Sequence, residues 1–208
     1  MRIEELLDER AFAEIEAAVR TAERATSGEI VPMLVERSDH YAEARFGAAA
    51  LVAFALGALA IHLEPSLWPW LVPTQIGVFA AGIWLFGRRA PLRWLVPAEV
   101  SASRVARAAS LAFREAGLVE TRDRTGILLY VSLLERRVVV LADRGVDARV
   151  EPGTWDGVVA RVVAGIAAGR AEEGIAHGIR MCGEILAARF PRRADDVNEL
   201  PDAPRGER

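Results

Sequence analysis

Two long uncharged stretches constrain this chain more than any other feature of its sequence. Residues Phe46 to Leu63 include no acidic or basic side chain except His62, and residues Leu67 to Phe86 include none. Each stretch is about as long as the roughly 20 residues that a helix needs to cross the hydrocarbon core of a bilayer. A helix that is apolar on every side needs apolar surroundings on every side, and the rest of the chain is too short to supply them. The sequence therefore predicts a transmembrane helical hairpin over residues 46–86.

The eight Leu, Ile, Val and Phe residues of the first span favour insertion by about −2 to −5 kcal/mol in total.

The charges around the two spans predict how they are oriented. The linker Glu64-Pro65-Ser66 carries no positive charge, whereas arginines flank both outer ends of the pair: Arg37, Arg45, Arg88, Arg89 and Arg93. The positive-inside rule then predicts a multi-pass protein of the inner (cytoplasmic) membrane whose soluble domain is cytoplasmic.

The segment before the hairpin has the pattern of one helix followed by one strand. Apolar residues recur at three- and four-residue spacing from Phe12 to Ala22, and Gly28 offers a left-handed stop for that helix. The apolar run Glu29 to Glu36 has the length of a strand. Its Pro32 indicates an edge strand or a bulge, because proline cannot donate to a sheet ladder.

The segment after the hairpin predicts a helix, two strands and two more helices. A helix from Pro97 to about Ala116 is closed by Gly117. The runs Ile127–Val131 and Val138–Ala142 are continuously apolar, which predicts strands covered on both faces, and the short break between them predicts an antiparallel pair.

These elements predict a small α/β/α sandwich interrupted by the two-helix transmembrane hairpin. Residues 1–45 form the first part of the α/β domain, residues 97–190 form the second part, and residues 191–208 form a disordered tail, because the tail has little to bury.

Composition excludes several classes of function. The net charge of −3 argues against nucleic acid as a partner, since binding to phosphates needs a basic surface. Cys182 is the only cysteine, so the chain holds no intramolecular disulfide and no multi-thiolate metal site, and its place on an apolar helix stripe favours a core role. The sequence contains no nucleophile elbow, phosphate-binding loop or zinc-protease motif.

The candidate metal ligands are Asp143 and Asp147, which flank Gly145 directly after the second predicted strand. Ligands often bind at the carboxyl ends of strands in α/β sheets, and two carboxylates are suited to Ca²⁺ or Mg²⁺. The alternative is an ordinary acidic turn whose charges are neutralised by Arg144 and Arg149. No catalytic residue is identified beside this pair.

Three segments together resemble the TPM-domain family: TSGEIVPMLVERSD from Thr26, RTGILLYVSLLERRVVVLADRGVD from Arg124, and the end of the last helix, Ala188-Arg189-Phe190-Pro191. The resemblance implies an α/β/α sandwich of the bacterial membrane-anchored branch. It also implies a relation to thylakoid members that are described as acid phosphatases and as helpers in photosystem repair. Many members carry a Gly-Tyr-Gly-Leu-Glu turn, to which Asp143 through Asp147 corresponds here, with Asp147 at the place of the acid.

Two functions follow as hypotheses. The first is a membrane-anchored accessory protein that docks a membrane-protein partner at the bacterial inner membrane, in the assembly or quality control of a membrane complex. The second is a metal-assisted, acid phosphatase-like phosphomonoesterase. Whether the protein is an enzyme is left open by the sequence, because a fold does not determine a function.

Overall fold

The computed structural model describes residues 3–193 and 199–207. The chain divides into two compact units. The first unit combines the residues up to Ser38 with those from Ala102 onward, and the second runs from Asp39 to Ser101. A mixed α/β fold is present, as the sequence predicts, with a four-stranded mixed sheet in the first unit.

The helices and strands follow one another in this order: α1 Ile3–Leu6, α2 Glu9–Glu23, β1 Ile30–Val35, α3 Ala42–Leu63, a 3₁₀ helix Pro65–Trp70, α4 Leu71–Phe86, α5 Arg89–Leu95, α6 Ala98–Glu115, a 3₁₀ turn Leu118–Glu120, β2 Ile127–Ser132, β3 Arg137–Ala142, α7 Arg144–Asp147, α8 Asp156–Ala167, α9 Ala171–Arg189 and β4 Arg205–Glu207. The predicted helices and strands of the soluble flanks are all confirmed. The additions are the short helices α1, α5 and α7 and the strand β4.

The sheet has the order β3-β2-β1-β4. Strand β1 runs parallel to β2 and to β4, whereas β2 and β3 form the antiparallel pair that the sequence predicts. The turn between β2 and β3 places Arg136 at a left-handed φ of 52°. Because β1 and β2 are parallel neighbours, the chain between them is a crossover connection, and this connection contains the whole second unit.

Pro32 lies in an inner strand, which the edge prediction did not foresee. The Glu29 carbonyl accepts a hydrogen bond from the Ile127 amide of β2, so alternation turns the backbone of Pro32 away from β2. On that far side, β4 pairs with β1 only from Met33 to Val35. Pro32 is therefore tolerated because its missing N–H would fall just outside the reach of β4.

Two hydrophobic cores cover the two faces of the sheet. On one face, Leu34 and Leu129 pack with the apolar sides of α2 and α9, represented by Ile15 and Ile179. On the other face, Met33, Leu128 and Tyr130 pack with Val105, Ala109 and Phe113 of α6. Strand β2 is buried along its whole length, while β3, at the sheet edge, is largely half-buried. The continuous apolar runs in the sequence follow from this coverage.

Helices α8 and α9 pack closely because glycines lie at their contact. A Cβ at Gly165 would lie 2.5 Å from the Cα of Gly174, so neither position has room for a side chain. Helix α2, by contrast, does not end at Gly28, which corrects the predicted stop. It ends at Glu23, and Gly28 is closely packed, since a Cβ there would lie 2.8 Å from Leu186 Cδ1 and 3.1 Å from the carbonyl oxygen of Thr125.

The three segments that carry the family resemblance meet in a buried junction. The hydroxyl of Thr26 donates to the carbonyl of Phe190 at 2.6 Å and accepts from the amide of Gly28 at 3.1 Å. The amide of Ser27 also donates to Phe190, and the hydroxyl of Thr125 donates to the carbonyl of Ser27. The start of the first predicted strand and the end of the last helix are tied together here.

The tail, for which we expect disorder, has structure in the parts described, 191–193 and 199–207. The amide of Glu199 donates to Glu29 at 3.0 Å, and Arg193 pairs with Asp123 at 2.6 Å. Leu200 packs against the core on the α6 face, and β4 adds a fourth strand. The expectation failed because it counted apolar residues, whereas the tail is held mainly by polar contacts. Residues 194–198 and 208 lie outside the described residues.

The second unit contains the helical hairpin. By length and composition, Ala42–Leu63 and Pro65–Phe86 are candidate membrane spans. Helices α3 and α4 pack through small residues, since a Cβ at Gly82 would lie 3.0 Å from Ala49 Cβ. Gly57 likewise leaves room for the side chain of Gln75, so the polar residue of the second span turns toward the partner helix.

The second helix of the hairpin begins later than the apolar run does. The run starts at Leu67, but residues Pro65–Trp70 form a 3₁₀ helix and α4 begins at Leu71. Pro69 lies inside the 3₁₀ segment, which suits a residue that cannot donate to the helical ladder. With a rise of about 2 Å per residue, this segment adds about 12 Å to the roughly 24 Å of α4.

Candidate functional site

The predicted metal ligands lie on the short helix that follows β3. Asp143 is the N-cap of α7, and its Oδ1 accepts a hydrogen bond from the amide of Arg144 at 2.7 Å. Asp143 is only 6% exposed, whereas Asp147 is exposed at the other end of the same helical turn. Partial burial, and secondly the neighbouring charge of Asp143, raise the pKa of Asp147 above its usual range. The structure therefore brings the two carboxylates together.

The cation beside the two aspartates is Arg124, which their spacing in the sequence does not indicate. Arg124 Nη1 lies 3.7 Å from Asp143 Oδ2, and that oxygen has no hydrogen bond among the described residues. Arg149, which was expected to neutralise the pair, instead lies 4.6 Å over the ring of Phe190. Arg124 comes from the loop before β2, and only the sheet register brings it to Asp143.

The turn of α7 is fixed by close backbone packing. The amide of Gly145 donates to the carbonyl of Arg124 at 3.1 Å. A Cβ at Gly145 would lie 2.5 Å from that carbonyl oxygen and 2.6 Å from the carbonyl oxygen of Asp123. Glycine is therefore required at position 145, and the two aspartates keep a fixed position relative to Arg124.

These geometries limit what the pair can hold. Calcium takes six to eight oxygen ligands, and Asp143 and Asp147 together supply at most about four. Among residues 3–193 and 199–207, no group of three or more His, Cys, Asp or Glu side chains is arranged to hold a metal ion. A Ca²⁺ or Mg²⁺ ion at this position would need water or backbone carbonyls for its remaining ligands. The pair is a partial site rather than a complete cage.

Besides the two aspartates of α7, the structure has a polar cleft that the sequence does not predict. Its volume is about 210 Å³, and the following residues line it: Arg20, Glu23, Arg24, Thr26, Gly28, Glu29, Arg192 and Asp202. They come from α2, from the loop before β1 and from the tail, which are far apart in the chain. No motif or spacing could have indicated them, because the cleft exists only once the tail has folded back.

Glu23 is the titratable centre of this cleft. Burial is the main cause that raises its pKa to about 8, and the negative charges of Glu29 and Asp202 act in the same direction. Its Oε1 accepts a hydrogen bond from the amide of Ile30 at 2.9 Å, which opposes the rise, while a hydrogen bond with Asp202 supports it. At neutral pH Glu23 is therefore protonated, so the cleft has more arginines than charged carboxylates and does not favour a cation.

Cys182 and His177 have structural roles. Cys182 is fully buried, and burial raises the pKa of its thiol to about 12, so it belongs to the core as expected and is not a nucleophile. His177 accepts a hydrogen bond at Nδ1 from Arg161 Nε at 3.0 Å on the exposed side of α9. This contact joins the exposed sides of α8 and α9.

The comparisons with known proteins give a likeness of fold. No known protein-family model matches the chain, and no curated protein matches it. A solved structure that is similar is the NMR structure of BA42 protein from the psychrophilic bacterium Bizionia argentinensis sp. nov.. The identity is 21%, the alignment covers 99% of each chain and the TM-score is 0.63. The chain thus shares its fold with that bacterial protein.

Proposed function

We propose that the protein is a membrane-anchored member of the TPM-domain family whose helical hairpin crosses the bacterial inner membrane. Its α/β domain then docks a membrane-protein partner on the cytoplasmic side. The apolar surface of the hairpin carries this proposal.

The exposed surface of the hairpin is apolar around most of its circumference. In α3 the buried residues are Ala49, Ala53 and Gly57, which form a single stripe with four-residue spacing. Outside that stripe, Leu51 is 69% exposed and Phe54 is 70% exposed. Large apolar side chains arranged in this way are unfavourable in water and favourable in hydrocarbon. This pattern supports a membrane location more strongly than length alone.

The edge of the sheet supports a docking role. In the described part of the chain, β3 pairs with β2 and has no strand on its other side. The amide of Asp143 donates to the Gly126 carbonyl, so alternation directs the N–H groups of Val138, Val140 and Ala142 away from β2. From Val138 to Ala142 this edge carries no charged side chain, and such an edge with outward backbone groups is suited to pairing with an extended segment of a partner. We expect the partner to add a strand there.

The family assignment rests on the three segments that resemble it. Their residues Thr26, Thr125 and Phe190 belong to one buried junction, so the resemblance concerns positions that fix the fold. A shared fold does not transfer a reaction or a ligand.

Extraction of native membranes at alkaline pH tests the anchoring. We expect the full chain to stay with the membrane, and Phe54→Arg to be largely extracted. An arginine at mid-span costs about 2.5–3.5 kcal/mol, which is comparable with the whole insertion energy of the first span. Leu111→Arg is the matched control, because Leu111 is 48% exposed on α6, outside the hairpin. Release of the unaltered chain by alkali would refute the proposal.

Cysteine crosslinking in native membranes tests the docking. The exposed Arg136 lies in the turn that opens β3, and Arg136→Cys supplies a reactive thiol there because Cys182 is buried. We expect one reproducible membrane-protein adduct, lost when Val140→Pro is added, since proline removes an outward N–H while the bonds to β2 remain. The adduct should persist in Asp143→Asn/Asp147→Asn. If the same amount of adduct forms when Val140→Pro is added, the partner does not dock at this edge.

A phosphomonoesterase remains the second candidate, and one observation favours it. The buried Asp143 Oδ2 has no hydrogen bond among the described residues, and buried acceptors of this kind often have an ion or water as partner. Asp143 and Asp147 would hold a metal ion, and that ion would polarise the phosphate of the substrate. Metal-dependent hydrolysis of a generic phosphomonoester, lost in Asp143→Asn/Asp147→Asn, would support it. Hydrolysis that is absent, or unchanged in the double variant, would leave the pair as a helix cap.

A further inference from the structure

The open end of the hairpin holds two arginines, Arg45 and Arg88, for which no salt bridge is seen within the described part of the chain. Arg45 lies in the second turn of α3, and Arg88 directly follows Gly87, the C-cap of α4. The Arg45 guanidinium lies 5.0 Å from the ring centroid of Phe46, and its Nε is buried with no hydrogen bond among the described residues. Buried guanidinium N–H groups without an acceptor are costly, so an external acceptor would stabilise this arrangement.

The backbone of α4 is shaped to admit Arg45. A Cβ at Gly87 would lie 3.3 Å from Arg45 Cδ and 3.5 Å from Arg45 Nη1, so the arginine side chain runs along the glycine where α3 and α4 meet. A larger residue at position 87 would push the guanidinium outward. The side chain of Arg45 is therefore packed against the end of α4.

Arg88 is positioned by an aromatic ring. Its guanidinium lies 3.8 Å from the ring centroid of Trp84, which is itself 65% exposed. A guanidinium stacked on an indole keeps its edge N–H groups available for an acceptor. The result is two fixed cations beside exposed aromatic rings.

Depth in the bilayer identifies the chemical class of acceptor. The residues from Phe46 to Leu63 span about 27 Å at 1.5 Å per residue, close to the roughly 30 Å of hydrocarbon. With those residues in hydrocarbon, Arg45 and Arg88 lie at the level of the lipid headgroups, where indoles such as those of Trp84 and Trp94 also concentrate. The acceptor available at that depth is a phosphate oxygen.

We propose that Arg45 and Arg88 form a binding site for the phosphate of an anionic phospholipid, of the phosphatidylglycerol type, at the cytoplasmic end of the hairpin. The inference rests on the proposed membrane anchoring. The site favours an anionic lipid over a zwitterionic one because two guanidinium groups carry more positive charge than one phosphodiester neutralises, which disfavours the added cation of a choline headgroup.

Native mass spectrometry of the full chain, in detergent with equal amounts of phosphatidylglycerol and phosphatidylcholine, tests the site. We expect bound phosphatidylglycerol to predominate in the unaltered protein. Arg45→Gln and Arg88→Gln should each weaken its binding about fivefold, the effect of about one juxtamembrane charge. Arg107→Gln is the control, because Arg107 is an exposed arginine of α6 outside the hairpin, and it should leave the preference unchanged.

Each outcome of the experiment has one meaning. If the variants and the unaltered chain all resist alkaline extraction but show no lipid preference, the site is refuted while the anchoring stands. If the unaltered chain is extracted by alkali, both fail together. Loss that is equal in Arg107→Gln would show a general charge effect and refute the site. Displacement of bound phosphatidylglycerol by inorganic phosphate would indicate a phosphate site open to solvent, and would overturn the assignment to lipid.

Discussion

In this domain, single polar side chains form hydrogen bonds with backbone groups that would otherwise lack partners. Thr26 does so in the junction with Phe190, where one hydroxyl both donates and accepts. Asp143 does so at the start of α7, and Glu23 at the amide of Ile30 beside the sheet. Each of these residues replaces water at a buried backbone group, so its chemistry, more than its volume, determines its contribution.

Thr26→Val removes the two hydrogen bonds made by the Thr26 hydroxyl while nearly keeping the side-chain volume. The amide of Gly28 then lacks its acceptor in a buried site, which we expect to lower the free energy of unfolding by about 1–3 kcal/mol. Amide hydrogen exchange of β1 and β2 in detergent micelles would measure this as faster exchange. Thr26→Ser keeps the hydroxyl and loses only a methyl group, so it should cost about 0.8 kcal/mol. Equal effects of the two variants would show that packing, not hydrogen bonding, matters here.

Glu23 makes stability depend on pH. Because its pKa is about 8 in the folded protein and near 4.5 ordinarily, the folded state binds the proton more tightly than the unfolded state. Its contribution is complete below about pH 4.5 and is lost as pH rises toward 8. The free energy of unfolding should therefore fall with pH across this window, and Glu23→Gln should reduce the slope.

Amide exchange of residues 199–207, measured across that pH range, reports this loss of stability. The segment contains Asp202, which hydrogen-bonds with Glu23 in the cleft. Glu14→Gln, an exposed position on the same helix, serves as control. A slope that is the same in the unaltered chain and in both variants would contradict the role of Glu23.

At the scale of elements, small residues set which helices can approach closely. Gly165 and Gly174 do this for α8 and α9, and Gly82 does it for the hairpin. Helix packing in a membrane depends on close contact, because hydrocarbon gives the helices no hydrophobic reason to associate. The hairpin should therefore be more sensitive to added volume at its contact stripe than anywhere else on its surface.

Gly82→Leu tests this with Gly77→Leu as its matched control. A Cβ at Gly82 would lie 3.0 Å from Ala49 Cβ, whereas a Cβ at Gly77 meets nothing within 4 Å. Overpacking of this kind costs about 1–3 kcal/mol. Loss of helical circular dichroism on heating in detergent should occur at lower temperature for Gly82→Leu and be nearly unchanged for Gly77→Leu. Equal shifts would mean that α3 and α4 do not pack as described.

The sequence predicts these elements better than it predicts their polar contacts. Apolar periodicity and turn residues identify α2, α6, α8 and α9 and the strands β1 to β3, because packing in a core imposes regular spacing. Strand β4 has no such signal, since its three residues are held by pairing with Met33 to Val35 and not by an apolar face. The pairing of Asp143 with Arg124, and the cleft around Glu23, depend on tertiary approach and have no local pattern.

The whole molecule combines an α/β domain with a hairpin inserted between two adjacent strands. Because β1 and β2 are neighbours, the two parts of the domain must lie on one side of any membrane that the hairpin crosses. The arginines at the open end of the hairpin place that side in the cytoplasm under our proposal.

Labelling with a membrane-impermeant maleimide in intact cells tests this orientation. Cys182 should stay unlabelled in the folded protein, because it is buried and its thiol pKa is about 12. We expect Ser66→Cys, between the two spans, to be labelled from outside, and Arg107→Cys to be labelled only after the membrane is permeabilised. The reverse pattern would place the domain outside the cell.

The parallel pairing of β1 with β2 also imposes an order on biosynthesis. Strand β1 leaves the ribosome first, but its neighbour β2 follows only after the entire second unit has been made. The apolar helices α3 and α4 are thus available to the insertion machinery while the sheet is still incomplete. If the hairpin is inserted in a membrane as proposed, a nascent chain arrested before Ile127 should already be anchored and yet leave β1 open to chaperones, so that insertion would not depend on a folded domain.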